Sequence, residues 1–317
     1  VLFEVFASGE CAMRLAGLCL LVCCLGVRGQ EIADRAPSST RLLVGIHVRQ
    51  LIESPLAKKY GEQLRAVFAD WTSALVNLGT EPVQVEHIWL VAGDGYPRGT
   101  AIIIMGKIDP AKVDAKMQQH IRERRMPVRP FREENRPCFA LETPVGLNPI
   151  PGLPATVFVS TRDDGIIVTF DQETLLLFLR PIEPGKSVHE RFGPYKDALA
   201  TQTSVVAACS PPESLTGTDA LLTGVKTILA NAVVEDGLKV NIEFLPGDAG
   251  AFQSRMNNGL QQARQLFGPL VTQQGVDPRM VQFFQELLAS AKVASKDNAL
   301  TMTAELTTET IGRIFKK

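Results

Sequence analysis

One pattern constrains this chain more than any other. Four times, a strand-like run meets a tight turn bearing Asp, then a second strand-like run, then a helix start. The copies are HIWLVAGDGYPRGTAIIIMGKIDPAKVDAKM (His87–Met117), TVFVSTRDDGIIVTFDQETLLLFL (Thr156–Leu179), ANAVVEDGLKVNIEFLPGDAGAFQSRM (Ala230–Met256) and AKVASKDNALTMTAELTTETIGRIF (Ala291–Phe315). Their bends read GDG, DDG, EDG and KDN. Asp-Gly and its relatives supply the positive-φ positions that a tight hairpin needs, and the Val, Ile, Thr and Phe of the flanks suit a pleated surface. Each second run ends at a residue fit to cap a helix: Asp109 ahead of Pro110, Asp171, Asp248 and Thr307. Their side-chain oxygens can accept from amides that the first helical turn leaves unpaired, and Pro suits the first helical position.

A strand and a helix precede each pair of copies. In the first half the strand is RLLVGIHV (Arg41–Val48), and Ser54-Pro55 then opens a long helix with Leu56, Tyr60, Leu64, Phe68, Trp71, Leu75 and Leu78 on one face. In the second half it is TSVVAACS (Thr203–Ser210), then Pro211 and a helix carrying Leu221, Val225, Ile228 and Leu229. The expected fold class is therefore α+β: two tandem repeats of strand–helix–(ββα)–(ββα), antiparallel sheets covered by helices. The expected domains are 41–180 and 203–317, joined by a linker over 181–202. The first repeat inserts a charged helix end, a hairpin over Val128–Glu142 and a Pro/Gly loop over Thr143–Ala155. The second inserts a helix after Asp277-Pro278, with Met280, Phe284, Leu287 and Leu288 on its apolar face. The openings LLVGIHVRQLIESPLAKKYGEQL and GLKVNIEFLPGDAGAFQSRMNNGL resemble exported bacterial proteins of unknown function built on duplicated α+β units. The resemblance implies a fold and no site residues.

The stretch MRLAGLCLLVCCLGVRGQE (Met13–Glu31) speaks to location. Arg14 precedes an apolar run from Leu15 to Leu25, shorter than the roughly 20 residues of a spanning helix but fitting the core of a signal peptide. Val27 and Gly29 then offer small residues before a cleavage point at Gly29-Gln30. Residues 1–29 read as an upstream extension plus signal peptide with Met13 as initiator; a lipidated Cys19 and a buried N-terminal helix are the competing readings. The expected location is periplasmic or extracellular, with no transmembrane segment in the mature chain.

A formal net charge of −1 provides no global field for nucleic acid. Of the six cysteines, Cys138 and Cys209 alone lie beyond the signal. They could form one disulfide or remain two thiols. The turn aspartates Asp94, Asp163, Asp164, Asp236 and Asp297 recur, but turn chemistry explains them, and no segment has calcium-loop spacing. His47, His87, His120 and His189 show no zinc-ligand spacing. By strand alternation His47 should share a face with Arg49. No G-x-S-x-G elbow exists, and GDGYPRG (Gly93–Gly99) joins two strands rather than opening a helix as a phosphate loop does. No metal set and no cofactor follow from these spacings.

The most unusual segment is IRERRMPVRPFREENR. A helix C-terminus favours the cations Arg122, Arg124 and Arg125; Arg129 and Arg132 lack that reason. An anion-binding surface formed by Arg122, Arg124, Arg125, Arg129 and Arg132 is one reading, and a solvated face partly paired with Glu123, Glu133 and Glu134 is the other. The helix after Asp248 has a core stripe of Phe252, Met256, Leu260, Ala263 and Phe267, opposite a nearly uncharged face of Gln253, Asn257, Gln261, Gln262 and Gln265. The expected function is a non-catalytic binding or structural module of the cell envelope, its partner an envelope protein, a glycan or another anionic ligand. The alternative is an extracytoplasmic hydrolase with its site between the two halves.

Overall fold

The computed structural model describes residues 36–37, 39–61, 69–93, 99–123, 127–142, 156–162, 165–180, 203–211, 224–246, 249–272, 278–296 and 299–315. In chain order the elements are β1 (Thr40–His47), α1 (Val48–Glu53), α2 (Pro55–Lys59), α3 (Ala69–Asn77), β2 (Val85–Gly93), β3 (Thr100–Gly106), α4 (Pro110–Glu123), β4 (Val128–Glu133), β5 (Arg136–Glu142), β6 (Thr156–Arg162), β7 (Gly165–Thr169) and α5 (Gln172–Leu179). They continue with β8 (Val205–Cys209), β9 (Val225–Val234), β10 (Leu238–Pro246), α6 (Ala249–Thr272), α7 (Pro278–Ser290), β11 (Lys292–Lys296), β12 (Ala299–Leu306) and α8 (Thr308–Phe315). The fold is mixed α+β with extensive antiparallel sheet.

The chain forms two compact units. The N-terminal unit takes the described residues of Val27–Arg49 and Leu64–Gln202; the C-terminal unit takes Gln50–Gln63 with Thr203–Lys317. In the N-terminal unit the strand order is β1-β2-β3-β7-β6-β5-β4, and in the C-terminal unit it is β8-β9-β10-β12-β11. Within each unit every neighbouring pair is antiparallel. With the β4–β5 hairpin set aside, both orders run first, second, third, fifth, fourth strand.

Local chemistry explains the joints. Asp171 caps α5 by accepting from Thr174 N at 2.7 Å. Asp109 accepts from Ala111 N at 3.0 Å before α4, and Thr307 Oγ1 accepts from Thr310 N at 3.2 Å before α8. Asp248 lies outside the described residues. At its other end α7 is held by Arg264 of α6, whose guanidinium donates to the carbonyls of Leu288 (2.9 Å), Ala289 (3.3 Å) and Ala291 (2.7 Å). A cation there satisfies orphan carbonyls and complements the helix dipole.

Each unit has its own core. In the N-terminal sheet Gly45, Trp89, Ile103 and Ile167 form one cross-strand row, all buried. Gly45 is required there, because a Cβ would lie 2.7 Å from the Trp89 ring carbons. In the C-terminal unit Phe252 of α6 packs with Val225, Phe244 and Leu300, and Ile228, Ile242, Met256, Val293 and Met302 surround them. One end strand of each unit's order, β4 in the N-terminal unit and β11 in the C-terminal unit, carries devices against further pairing: Arg129, Pro130 and Arg132 on β4, Lys292 and Lys296 on β11.

Four sequence expectations differ from the structure. The long helix from Pro55 is interrupted: α2 stops at Tyr60, whose φ of −116° leaves the helical region. Tyr60 is buried, and its hydroxyl lies 3.4 Å from the Thr308 carbonyl, which accepts from it. Docking of this ring against α8 outweighs helix continuity, and it places Gln50–Gln63 in the C-terminal unit rather than with 41–180. Leu56 N, an amide that the start of α2 leaves unpaired, donates to Glu235 O at 3.0 Å in the same unit.

Val225, Ile228 and Leu229 are strand residues of β9, not helical ones. Their spacing mimics a helix, but the segment VKTILANAVV finds ladder partners on both sides in β8 and β10. Finally, β1 ends at His47, and Arg49 belongs to α1, so the two share no strand face.

Candidate functional site

The arginine-rich segment forms the end of α4 and the β4–β5 hairpin. The hairpin turns at Glu134 and Asn135 with φ of 48° and 61°, the paired left-handed conformation of a two-residue hairpin turn. Arg122 is exposed in the last turn of α4; Arg124 and Arg125 lie outside the described residues. Arg129 and Arg132 are both exposed on β4. Three residues apart on a strand, they face opposite sides of the sheet, Arg129 opposite Ala140 and Arg132 opposite Pro137.

The neighbouring carboxylates are engaged elsewhere. Glu133 accepts from Gln172 Nε2 at 2.7 Å, and Glu134 from Arg180 Nε at 3.0 Å. The contacts bind the hairpin turn to α5 and to Arg180, the residue that follows it, and neither uses Arg129 or Arg132. Among the described residues these two guanidiniums have no ion pair and are exposed to solvent.

Two histidines separated by forty positions of sequence meet across strands. His47 and His87 are directly opposed on β1 and β2, their ring centroids 4.7 Å apart and tilted by 35°. Both are half-buried. Opposite His87 on the next strand stands Met105. A register shift between Val85 and His87 marks a bulge at Glu86, and bulges re-aim nearby side chains. Opposite it, Gly106 admits a close approach: a Cβ there would lie 2.1 Å from Gln84 O. Spacing could not reveal this pairing, because it depends on strand register. By contrast His120 is buried on α4 and meets the Asn77 carbonyl at the end of α3 at 2.9 Å, a structural tie. His189 lies outside the described residues.

Cys138 and Cys209 are present as thiols. Cys138 is fully buried on β5, with Ser160 Oγ 3.5 Å from its sulfur. Burial pushes its thiol above the ordinary range, which the Ser160 hydrogen bond offsets in part. That environment disfavours thiolate chemistry. Among the turn aspartates, Asp236 is exposed and the other four lie outside the described residues. A cavity of about 250 Å³ at the β9–β10 turn is walled by Glu235, Asp236, Lys239, Glu305 and Thr308. Across it Lys239 Nζ and Glu305 Oε1 stand 3.9 Å apart.

Asp114 of α4 is half-buried, its Oδ1 shielded from solvent with no hydrogen-bond partner among the described residues. Burial raises its pKa. The folded state therefore holds the proton more tightly than the unfolded state, and stability falls as pH rises from the unfolded value through the raised one. Asp114→Asn is expected to raise the thermal midpoint near neutral pH and to leave it unchanged at about pH 3, where both states are protonated. Thermal unfolding followed across that range by circular dichroism checks this.

Among the described residues no helix is long and apolar enough to cross a membrane. No protein-family model matches the chain, and no curated protein matches it in sequence. Among solved structures it is similar to crystal form I of TP0453, at 7% identity and a TM-score of 0.42, over 88% of this chain and 95% of that one.

Proposed function

We propose that the chain is an exported, non-catalytic module that binds a phosphorylated or sulfated partner along the β4–β5 hairpin. The observation that carries this reading is the state of Arg129 and Arg132. They are exposed on the outermost strand of the N-terminal sheet, while the adjacent Glu133 and Glu134 are committed to Gln172 and Arg180. A guanidinium presents a planar fork suited to phosphate and sulfate. One arginine on each face of an edge strand fits an extended polyanion that wraps the edge better than a small ligand in a cup. Arg122 adds a third cation at the foot of the hairpin. The export half of the proposal rests on the apolar run Leu15–Leu25 and the small residues Val27 and Gly29. The shared first-second-third-fifth-fourth strand order supports an origin by tandem duplication of a strand–helix–(ββα)–(ββα) unit.

The test is retention on immobilised heparin and on vesicles of anionic phospholipid at low salt. Arg129→Gln together with Arg132→Gln is expected to weaken retention about tenfold, from two exposed ion pairs of up to ~1 kcal/mol each. Binding should fall as salt rises. Equal retention of wild type and double variant, or none by either, would sink the proposal. N-terminal sequencing of exported material is expected to begin at Gln30.

A further inference from the structure

We propose that His47, His87 and Met105 form a binding site for copper(I). The three stand in one row of the N-terminal sheet, His47 opposite His87 across β1–β2 and His87 opposite Met105 across β2–β3. Directly opposed residues share a sheet face with Cβ atoms about 4.5–5.5 Å apart, so an ion above His87 is within reach of both neighbours. The imidazoles already face one another, their centroids 4.7 Å apart.

The donor set selects the ion. Imidazole nitrogen accepts copper and zinc alike, whereas a thioether is soft and favours copper(I). A structural zinc site takes four nitrogen, sulfur or oxygen donors. Among the described residues no three His, Cys, Asp or Glu side chains gather into a metal set. Two imidazoles and one thioether satisfy copper(I), which accepts low coordination numbers.

The surroundings agree with that choice. Trp89, on the same strand face as His87, lays its fully buried ring over Gly45, on the same strand face as His47. This gives the row an apolar wall, and a singly charged, weakly hydrated ion suffers least from such a neighbour. The bulge at Glu86, immediately before His87, is the irregularity that sets the aim of the row.

The direct test is nuclear magnetic resonance of the full chain, with methyl-labelled methionine, under anaerobic reducing conditions. One equivalent of copper(I) is expected to shift the imidazole resonances of His47 and His87 and the methyl resonance of Met105, leaving His120 unmoved. This readout separates the site from uptake by cysteine thiols. In competition with a chromogenic copper(I) chelator, His47→Ala and His87→Ala should each weaken this site about tenfold or more. Met105→Leu should weaken copper(I) binding at the two histidines and leave zinc(II) binding there unchanged. Copper(I) retained with these three resonances unmoved would overturn the proposal, as would failure to retain it. The wild-type spectrum decides even where a variant does not fold.

Discussion

Replacing Trp89 with alanine is expected to cost about 3–5 kcal/mol of unfolding free energy, the usual range for emptying a large aromatic site in a core. The ring has no solvent exposure and covers Gly45 on the neighbouring strand, with its carbons where a Cβ would stand at 2.7 Å. Truncation therefore leaves a void bounded by backbone on one side, which side-chain rearrangement fills poorly. Trp89→Phe should cost distinctly less. The indole Nε1 has no hydrogen-bond partner among the described residues, so no bond is lost with it. Gly45→Ala should itself cost about 1–3 kcal/mol through overpacking. In the Trp89→Phe background that penalty should shrink, because the two residues share one space. Urea denaturation of the four proteins in the cycle measures the coupling. An additive pair would show that the ring does not rest on the glycine.

The second large effect is expected in the other unit. Phe252→Ala should cost about 3–5 kcal/mol, since Phe252 is fully buried and anchors α6 against Phe244 at a ring separation of 5.4 Å. The loss should reach beyond the cavity. Arg264 lies on the same helix, and its bonds to the carbonyls of Leu288, Ala289 and Ala291 require α6 to be seated. Hydrogen exchange is the discriminating measurement: Phe252→Ala should raise exchange at the C-terminal turn of α7 as well as in α6. A change confined to α6 would show that the two helices dock separately.

The hairpins were legible in the sequence for a physical reason. Alternation around a polar bend leaves a strand little choice of face, although the described bend at Glu235–Gly237 closes with no residue at positive φ. Three helix caps were legible in the same way, at Asp109, Asp171 and Thr307. Val225, Ile228 and Leu229 misled because a short apolar run satisfies a helical and a strand period equally, and only its ladder partners decide. The interruption at Tyr60 was hidden because its cause, the surface of α8, lies 248 positions away in sequence. Of the candidate sites, the arginines were visible as a composition anomaly, but the engagement of Glu133 and Glu134 by Gln172 and Arg180 was not. The facing of His47 and His87 required register, including a bulge that no residue pattern announces.

The excursion of Gln50–Gln63 into the C-terminal unit has a bearing on how the molecule can be divided. A gene fragment opening at Thr203 would encode every strand of that unit yet lack the phenol that fills the surface beside Gly312, where a Cβ would stand 2.6 Å from the Tyr60 oxygen. Its α8 would present a bare seat, and the carbonyl of Glu235 would lose the amide of Leu56. Supplied in trans, a peptide spanning that loan would restore both contacts. The two halves are thus stitched by a borrowed segment: neither can be inherited, shuffled or lost as a clean cassette without orphaning a piece of the other.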